Sequence, residues 1–264
     1  MEKLILEILK ENPTLSNREI GKLIGKARTT VQYYLNKLNI HRDRKQQQKL
    51  NNTSRENMLS ITDNAEQIIL GSILGDGSIS KHRKPSNTKE TLNSQLIITH
   101  GIKQLEYLKY KKDLLESEGI KCHLKERKIY KTHYIKGIKV KENGSYILRT
   151  ARNVSFNKYR NLFYSEKKYI NRYIYKLNSL GLAIWYMDDG CFNKHSICLY
   201  TNGFSIKDDY LLLEVLKHNF NIEATLHKTS NIGRCIYIKA KSRKRFLELV
   251  NPHICESMKY KIGT

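Results

Sequence analysis

The chain has 264 residues, with 48 Lys and Arg against 25 Asp and Glu, a formal net charge of +23. At 28% charged and 39% apolar it has a globular composition; no apolar run approaches the ~20 residues of a membrane span. Five cysteines without a CxxC pair exclude a disulfide framework or a zinc ribbon. The start, Met1 to Leu4, has no signal-peptide layout, which leaves a cytoplasmic or nucleoid location, or an organelle-encoded origin.

In chain order, Leu4, Ile5, Ile8 and Leu9 have helical spacing. Ser16 followed by Glu19 forms a capping-box pattern that opens a second helix with Ile20, Leu23 and Ile24 as its apolar stripe. Gly25 breaks it, and a third helix from about Arg28 to Leu38 buries Val31, Tyr34, Leu35 and Leu38. Residues 1–40 are therefore expected to form a small all-α helix-turn-helix domain. The outer face of its third helix offers Arg28, Thr29, Gln32, Tyr33 and Lys37 to phosphates and base edges. Residues 41–60 are polar and without periodicity, and read as a linker.

The remainder contains an internal duplication. The segments ILGSILGDG at 69–77 and LAIWYMDDG at 182–190 are both apolar helices with small residues in their early turns, ending in Asp-Gly. Each is followed by a matching strand, Ile97 to Gly101 and Leu199 to Gly203, which pairs His100 with Asn202. Each copy closes on a basic end, at Lys167–Ile170 and Lys259–Ile262. Glycine after the last helical turn is the expected stop, because it accepts the left-handed conformation. Aspartate there is electrostatically unfavourable, facing the negative end of the helix dipole. Two such aspartates at equivalent places, on helices that can pack closely through Gly71, Gly75 and Ala183, indicate a site for a hard divalent cation.

These residues resemble the paired motifs of the LAGLIDADG homing endonucleases, in the single-chain, two-repeat form, over about residues 61–264. The resemblance implies an α+β fold of two pseudo-symmetric αββαββα repeats, 61–170 and 171–264, forming a DNA-binding saddle. It implies metal-binding acids at Asp76 and Asp189, with Gly75 and Asp188 beside them. It further implies basic residues near the scissile phosphates at Lys168 and Lys261, and water-organising side chains at His100 and Asn202. The expected reaction is Mg²⁺-dependent phosphodiester hydrolysis, with Mn²⁺ as a substitute, giving a double-strand break at a long target and promoting intron mobility.

Charge locates the expected interface. Residues 121–176 carry 16 basic and 3 acidic side chains, and 8 of the 17 tyrosines. Such a surplus suits a polyanionic partner. Lys125, Arg127, Lys139, Lys141, Arg149 and Arg152 of this region, with Lys228, Lys239 and Lys241 of the second repeat, are expected to contact double-stranded DNA. The protein is expected to act as a monomer. Two other readings fit the same scaffold: a DNA-binding regulator that does not cut, and an RNA maturase that assists splicing of a host intron.

Overall fold

The computed structural model describes residues 1–11, 15–40, 58–80, 93–127, 132–135, 138–141, 144–193, 196–229 and 233–263, with backbone alone for 132–135, 138–141 and 229. The expected linker over 41–57 lies outside the described residues. The chain divides into two compact units, Met1–Met58 and Leu59–Thr264.

The first unit contains α1 (Glu2–Glu11), α2 (Asn17–Leu23) and α3 (Arg28–Lys37). The capping box forms: the Ser16 hydroxyl accepts from the Glu19 N–H, and the Ser16 N–H donates to the Glu19 carboxylate at 2.7 Å. Gly25 turns the chain at φ +64°. Ile5, Ile20, Val31 and Leu35 make the core. Leu4 and Leu23, expected inside, face outward at 45% and 65% exposure. A three-helix core this small is closed by one side chain per turn, and their turns already contribute Ile5 and Ile20.

In the second unit, the first repeat runs α4 (Asp63–Leu74), β1 (Gly77–Ser80), β2 (Gln95–Gly101), α5 (Leu105–Ser117), β3 (Cys122–Arg127), β4 (Thr132–Ile135), β5 (Ile138–Lys141), β6 (Ser145–Thr150) and α6 (Ser155–Phe163). The second runs α7 (Ser179–Asp189), β7 (Gly190–Asn193), β8 (Ser196–Tyr200), α8 (Ile206–Phe220), β9 (Ala224–Thr229), β10 (Gly233–Ile238) and α9 (Arg243–Val250). Both are αββαββα, and the first carries β4–β5 as an added antiparallel ribbon. Their antiparallel sheets have equivalent strand orders, β1-β2-β6-β3 and β7-β8-β10-β9. One face of each sheet alternates into the core, through Ile98 and Leu148 in one and Leu199 and Ile236 in the other.

The two repeats share one core along α4 and α7. Thr62 caps α4 by accepting from the Ala65 N–H, and Asn178 caps α7 by accepting from the N–H groups of Leu180 and Gly181. Gln67 ties the helices together: its amide donates to the Lys176 carbonyl at 2.8 Å and accepts from the Asn178 N–H at 2.8 Å. A Cβ at Gly71 would collide with the Gly181 carbonyl oxygen and the Ile184 side chain. Gly71→Ala should therefore push α4 off α7 and cost about 1–3 kcal/mol, read as a lower midpoint in urea denaturation; an unchanged midpoint would mean that the helices are less tightly apposed.

The glycines after the aspartates serve a different purpose from the one expected. Gly190 has φ −80°, and Gly77 is also outside the left-handed region. Glycine is required because an added Cβ would strike Ser72 at Gly77, and the Tyr186 ring and carbonyl at Gly190. Close approach decides these positions, not handedness.

Candidate active site at the paired helix ends

The packing of α4 on α7 brings Asp76, Asp188 and Asp189 together at one end of the helix pair. Asp188 is wholly buried as a side chain, whereas Asp76 is 42% exposed. Asp188 is the hub of a network. Its Oδ1 accepts from the Lys111 ammonium at 2.6 Å and the Tyr107 hydroxyl at 2.8 Å, and its Oδ2 accepts from the Asp76 N–H at 3.1 Å. The Lys111 ammonium also lies 4.6 Å from the centre of the Tyr107 ring. Gly75 leaves room for this carboxylate, because a Cβ there would overlap it.

His100, on β2, reaches both acids. Its Nδ1 lies 3.4 Å from Asp76 and 3.2 Å from the Gln104 amide oxygen, and its Nε2 lies 3.6 Å from Asp188. Burial, with the Lys111 charge adding to it, pushes His100 down to about 4. The imidazole is therefore neutral near pH 7.

Lys168 and Lys261 occupy equivalent positions. The Lys168 ammonium donates to the carbonyls of Ile73 at 2.8 Å and Gly75 at 3.3 Å, and Lys261 to those of Met187 at 2.5 Å and Asp188 at 3.1 Å. Each closes the carbonyl end of its motif helix, where a cation is favoured. The aspartates that look misplaced in sequence thus stand beside lysines supplied about 70 to 95 residues later. Burial lowers both lysines' pKa, and the neighbouring aspartates oppose that shift.

Asp76 and Asp189 carry the least compensated charge. Burial raises Asp76, with the Asp188 charge adding to it. Burial, then the charges of Asp76 and Asp188, push Asp189 up to about 7 from 3.8. A carboxyl raised on folding contributes stability that is present below about pH 4 and is lost as pH rises to about 7. A cation between the acids would restore it. Mg²⁺ should therefore raise Tm more at about pH 8 than at about pH 6; equal shifts at both would show that Mg²⁺ does not act on these acids.

Other expected site residues are placed differently. Gly77 pairs with Ile98 in β1–β2, and Gly190 pairs with Leu199 in β7–β8. This register makes Thr201, and not Asn202, the counterpart of His100. Thr201 is buried, while Asn202 accepts from the Arg234 N–H at 2.6 Å outside the acid cluster. The strands are therefore offset by one residue from the pairing of Ile97–Gly101 with Leu199–Gly203 expected from sequence. Lys239 and Lys241 form ion pairs with Glu223 at 3.5 and 2.7 Å. Lys228 pairs with Arg234, on the strand face whose other members, Ile236 and Ile238, enter the core. It therefore points away from the free face of its sheet.

In the first sheet, His123, Lys125, Arg127 and Arg149 are exposed. Arg152 is half-buried and donates to the Asn93 carbonyl. Lys139 and Lys141 lie on β5, where the side chains are outside the described residues. In the first unit Arg28, Thr29, Gln32, Tyr33 and Lys37 are all exposed on α3. Gln32 bonds Asn17 and Asn36, and Lys37 pairs with Glu2 at 2.8 Å.

Sequence reasoning missed Tyr107 and Lys111. The signal was present: Lys111 interrupts the apolar stripe Leu108–Leu115 at helical spacing, and a lysine there needs a buried partner. It lies six residues into α5; the residue six into α8 is the buried Leu212. The second repeat thus has no lysine at the position equivalent to Lys111, and the hub joins Lys111 and Tyr107 of the first repeat to Asp188 of the second.

Two repeats of one topology, joined along glycine-lined helices and bearing one motif-end aspartate (Asp76 exposed, Asp189 half-buried) and one lysine per half, define a single-chain pseudo-dimer with a composite site. Residues 66–246 match the LAGLIDADG DNA endonuclease family, and the chain belongs to it. Residues 1–39 match a winged helix-turn-helix DNA-binding family. Among solved structures, the chain is similar to the homing endonuclease I-WcaI bound to its DNA recognition sequence, with TM-score 0.63 and 27% identity over 81% of this chain and 92% of that one. It is 30% identical over 213 residues to the cytochrome b mRNA maturase bI2 of Saccharomyces cerevisiae, covering 76% of this chain and 47% of the relative. To the maturase bI2 of Debaryomyces hansenii it is 29% identical over 200 residues, covering 75% and 72%. The chain spans about half the length of the yeast maturase and of the RecA proteins it also matches.

Proposed function

We propose that the protein is a site-specific DNA endonuclease that hydrolyses one phosphodiester bond in each strand of a long duplex target. The observation that carries this reading is the placement of Asp76 and Asp189, each at the end of its own motif helix beside its own lysine. One acid per repeat gives one reaction centre per strand.

The residues fit a divalent cation. Asp76 and Asp189 are hard oxygen donors whose pKa values are raised by burial and by neighbouring acids, which the nearby lysines only partly offset. Asp76, His100 and Asp188 also offer donor atoms within 4.8 Å of one another. Asp188, however, already accepts from Lys111, Tyr107 and the Asp76 N–H, so a cation bound to it would face an ammonium group. Gly75, whose carbonyl takes Lys168, is equally committed. Asp76 and Asp189 would therefore hold Mg²⁺ or Mn²⁺, and Asp188 would position Asp76. A bound divalent cation supplies Lewis acidity to the phosphoryl oxygens and lowers the pKa of a coordinated water.

The chain's own residues complete the chemistry. Lys168 and Lys261 place positive charge beside each acid, where negative charge develops on phosphate oxygens. His100 is neutral, and its Nε2 has no hydrogen-bond partner among the described residues. It can orient a water without competing as a cation.

A second reading, action on intron RNA, is favoured by the two mRNA maturases among the relatives. One experiment separates them: full-length protein with Mg²⁺ is offered DNA spanning the uninterrupted insertion site of its gene, and in parallel the precursor RNA. Cutting of both DNA strands supports the endonuclease. Accelerated splicing with intact DNA would transfer the assignment to the maturase, and binding without either would leave a regulator. Intron mobility rests on the endonuclease reading, and a monomeric state is proposed because one chain carries both repeats.

A further inference from the structure

The two sheets present chemically different free faces. Each sheet begins directly after an acid, β1 after Asp76 and β7 after Asp189, and its helix-free face spreads outward from there. On the first sheet that face is basic. Arg149 sits between Ile97 and His123, Lys125 pairs with Ile147, and Arg127 follows on the same side.

On the second sheet, register puts Cys191, Cys198, Tyr237 and Thr225 in one row, and Tyr200, Cys235 and His227 in the next. No Lys or Arg occurs on this face among the described residues. Arg234 alternates to the opposite side, where its guanidinium pairs with Asp209 at 2.6 Å. The face is also held in place: His227 stacks on Tyr237 at 4.7 Å and 5°, and its Nε2 lies 3.0 Å from the Thr225 hydroxyl.

Base edges distinguish these two surfaces. Arg and Lys pair with the O6 and N7 acceptors of guanine, whereas small apolar and aromatic groups meet the 5-methyl of thymine. A thiol behaves as a small apolar group with a weak donor. We propose that the two half-sites are read by different chemistry: the second sheet reads its half through thymine methyl groups, and the first reads its half through guanine acceptors contacted by Lys125, Arg127 and Arg149. This rests on the endonuclease reading, because it takes duplex DNA as the occupant of both faces.

The test alters the DNA and leaves the protein intact. Binding sites are selected from a randomised duplex library with the full chain in Ca²⁺. The half under the first sheet is identified by the positions where Arg149→Ala relaxes selection. Uracil is then substituted for thymine, and 7-deazaguanine for guanine, in one half at a time. Loss of one buried methyl corresponds to about a fourfold loss of affinity. Uracil should thus weaken binding about fourfold per contacted thymine in the second-sheet half, and 7-deazaguanine should act in the first-sheet half. Uracil without effect in the second half, or 7-deazaguanine equally harmful there, overturns the proposal. Failure of the library to enrich any sequence would instead remove the endonuclease reading beneath it.

Discussion

Asp189→Asn should abolish cleavage of the strand it serves, by more than about a hundredfold, while leaving the protein folded and bound to DNA. Groups that only support a metal ligand are worth about 10–100-fold in affinity or activity, and loss of the ligand itself costs more. The same holds for Asp76→Asn, so that each single variant nicks and the double variant does neither. A second readout separates this from a structural role. The Asp189 carboxyl is pushed up to about 7 by burial and by its acidic neighbours, so its charge is unfavourable in the folded state at neutral pH. Replacing it with a neutral isostere should therefore hold or raise Tm at about pH 7.5, and should remove the Mg²⁺-dependent stabilisation. Supercoiled plasmid carrying the target distinguishes nicked from linear product. Linear product from either single variant at the wild-type rate would sink the assignment of one acid to each strand.

Lys111→Met should be among the most destabilising single changes in the second unit, by about 3–5 kcal/mol. Neither Lys111 nor Asp188 exposes any side-chain surface, and their contact is 2.6 Å. Removing the ammonium leaves a carboxylate in the core whose remaining hydrogen-bond donors, among the described residues, are the Tyr107 hydroxyl and the Asp76 N–H. Buried pairs are costly to break and cheap to replace together. Lys111→Met combined with Asp188→Asn should therefore recover most of the loss, because the Asn oxygen can still accept from Tyr107 or Asp76. Urea denaturation of the two single variants and the double variant measures the coupling. Additive losses would show that the two residues stabilise the fold independently.

The hub also changes how the site divides its labour. In sequence, Asp188 and Asp189 are adjacent acids at the same helix end, and both are candidates for the cation. The structure separates them by burial and by prior commitment. Asp188 is turned inward and accepts from the Asp76 N–H, whereas Asp189 is only half-buried. This division is absent from the first motif, where Gly75 stands beside Asp76 to admit the Asp188 carboxylate.

Much of this molecule was legible in one dimension. The helix-turn-helix was marked by a capping box and a glycine turn, both set by hydrogen bonds within a few residues. The duplication was legible because two apolar helices ending in Asp-Gly, each with a distant lysine, recur in the same order. The central acids followed from it, and the double αββαββα layout from the family resemblance that those motifs carry. These features depend on local chemistry and repetition, which the order of residues records directly.

What only the tertiary structure decided depends on register and on contacts across the repeats. A one-residue slip moves a side chain to the other face of a sheet. That is why Asn202 gave way to Thr201, and why Lys228 left the face where its charge had suggested it belonged. The roles of Gly77 and Gly190 lie in neighbours that pack against them, not in their own conformational freedom. Lys111 and Asp188 are 77 residues apart in the chain, and nothing local announces that one neutralises the other. The sequence by itself determined the class of fold and the acids at its centre. The close packing of two unlike halves decided which acid is buried and held by the protein and which stays partly open.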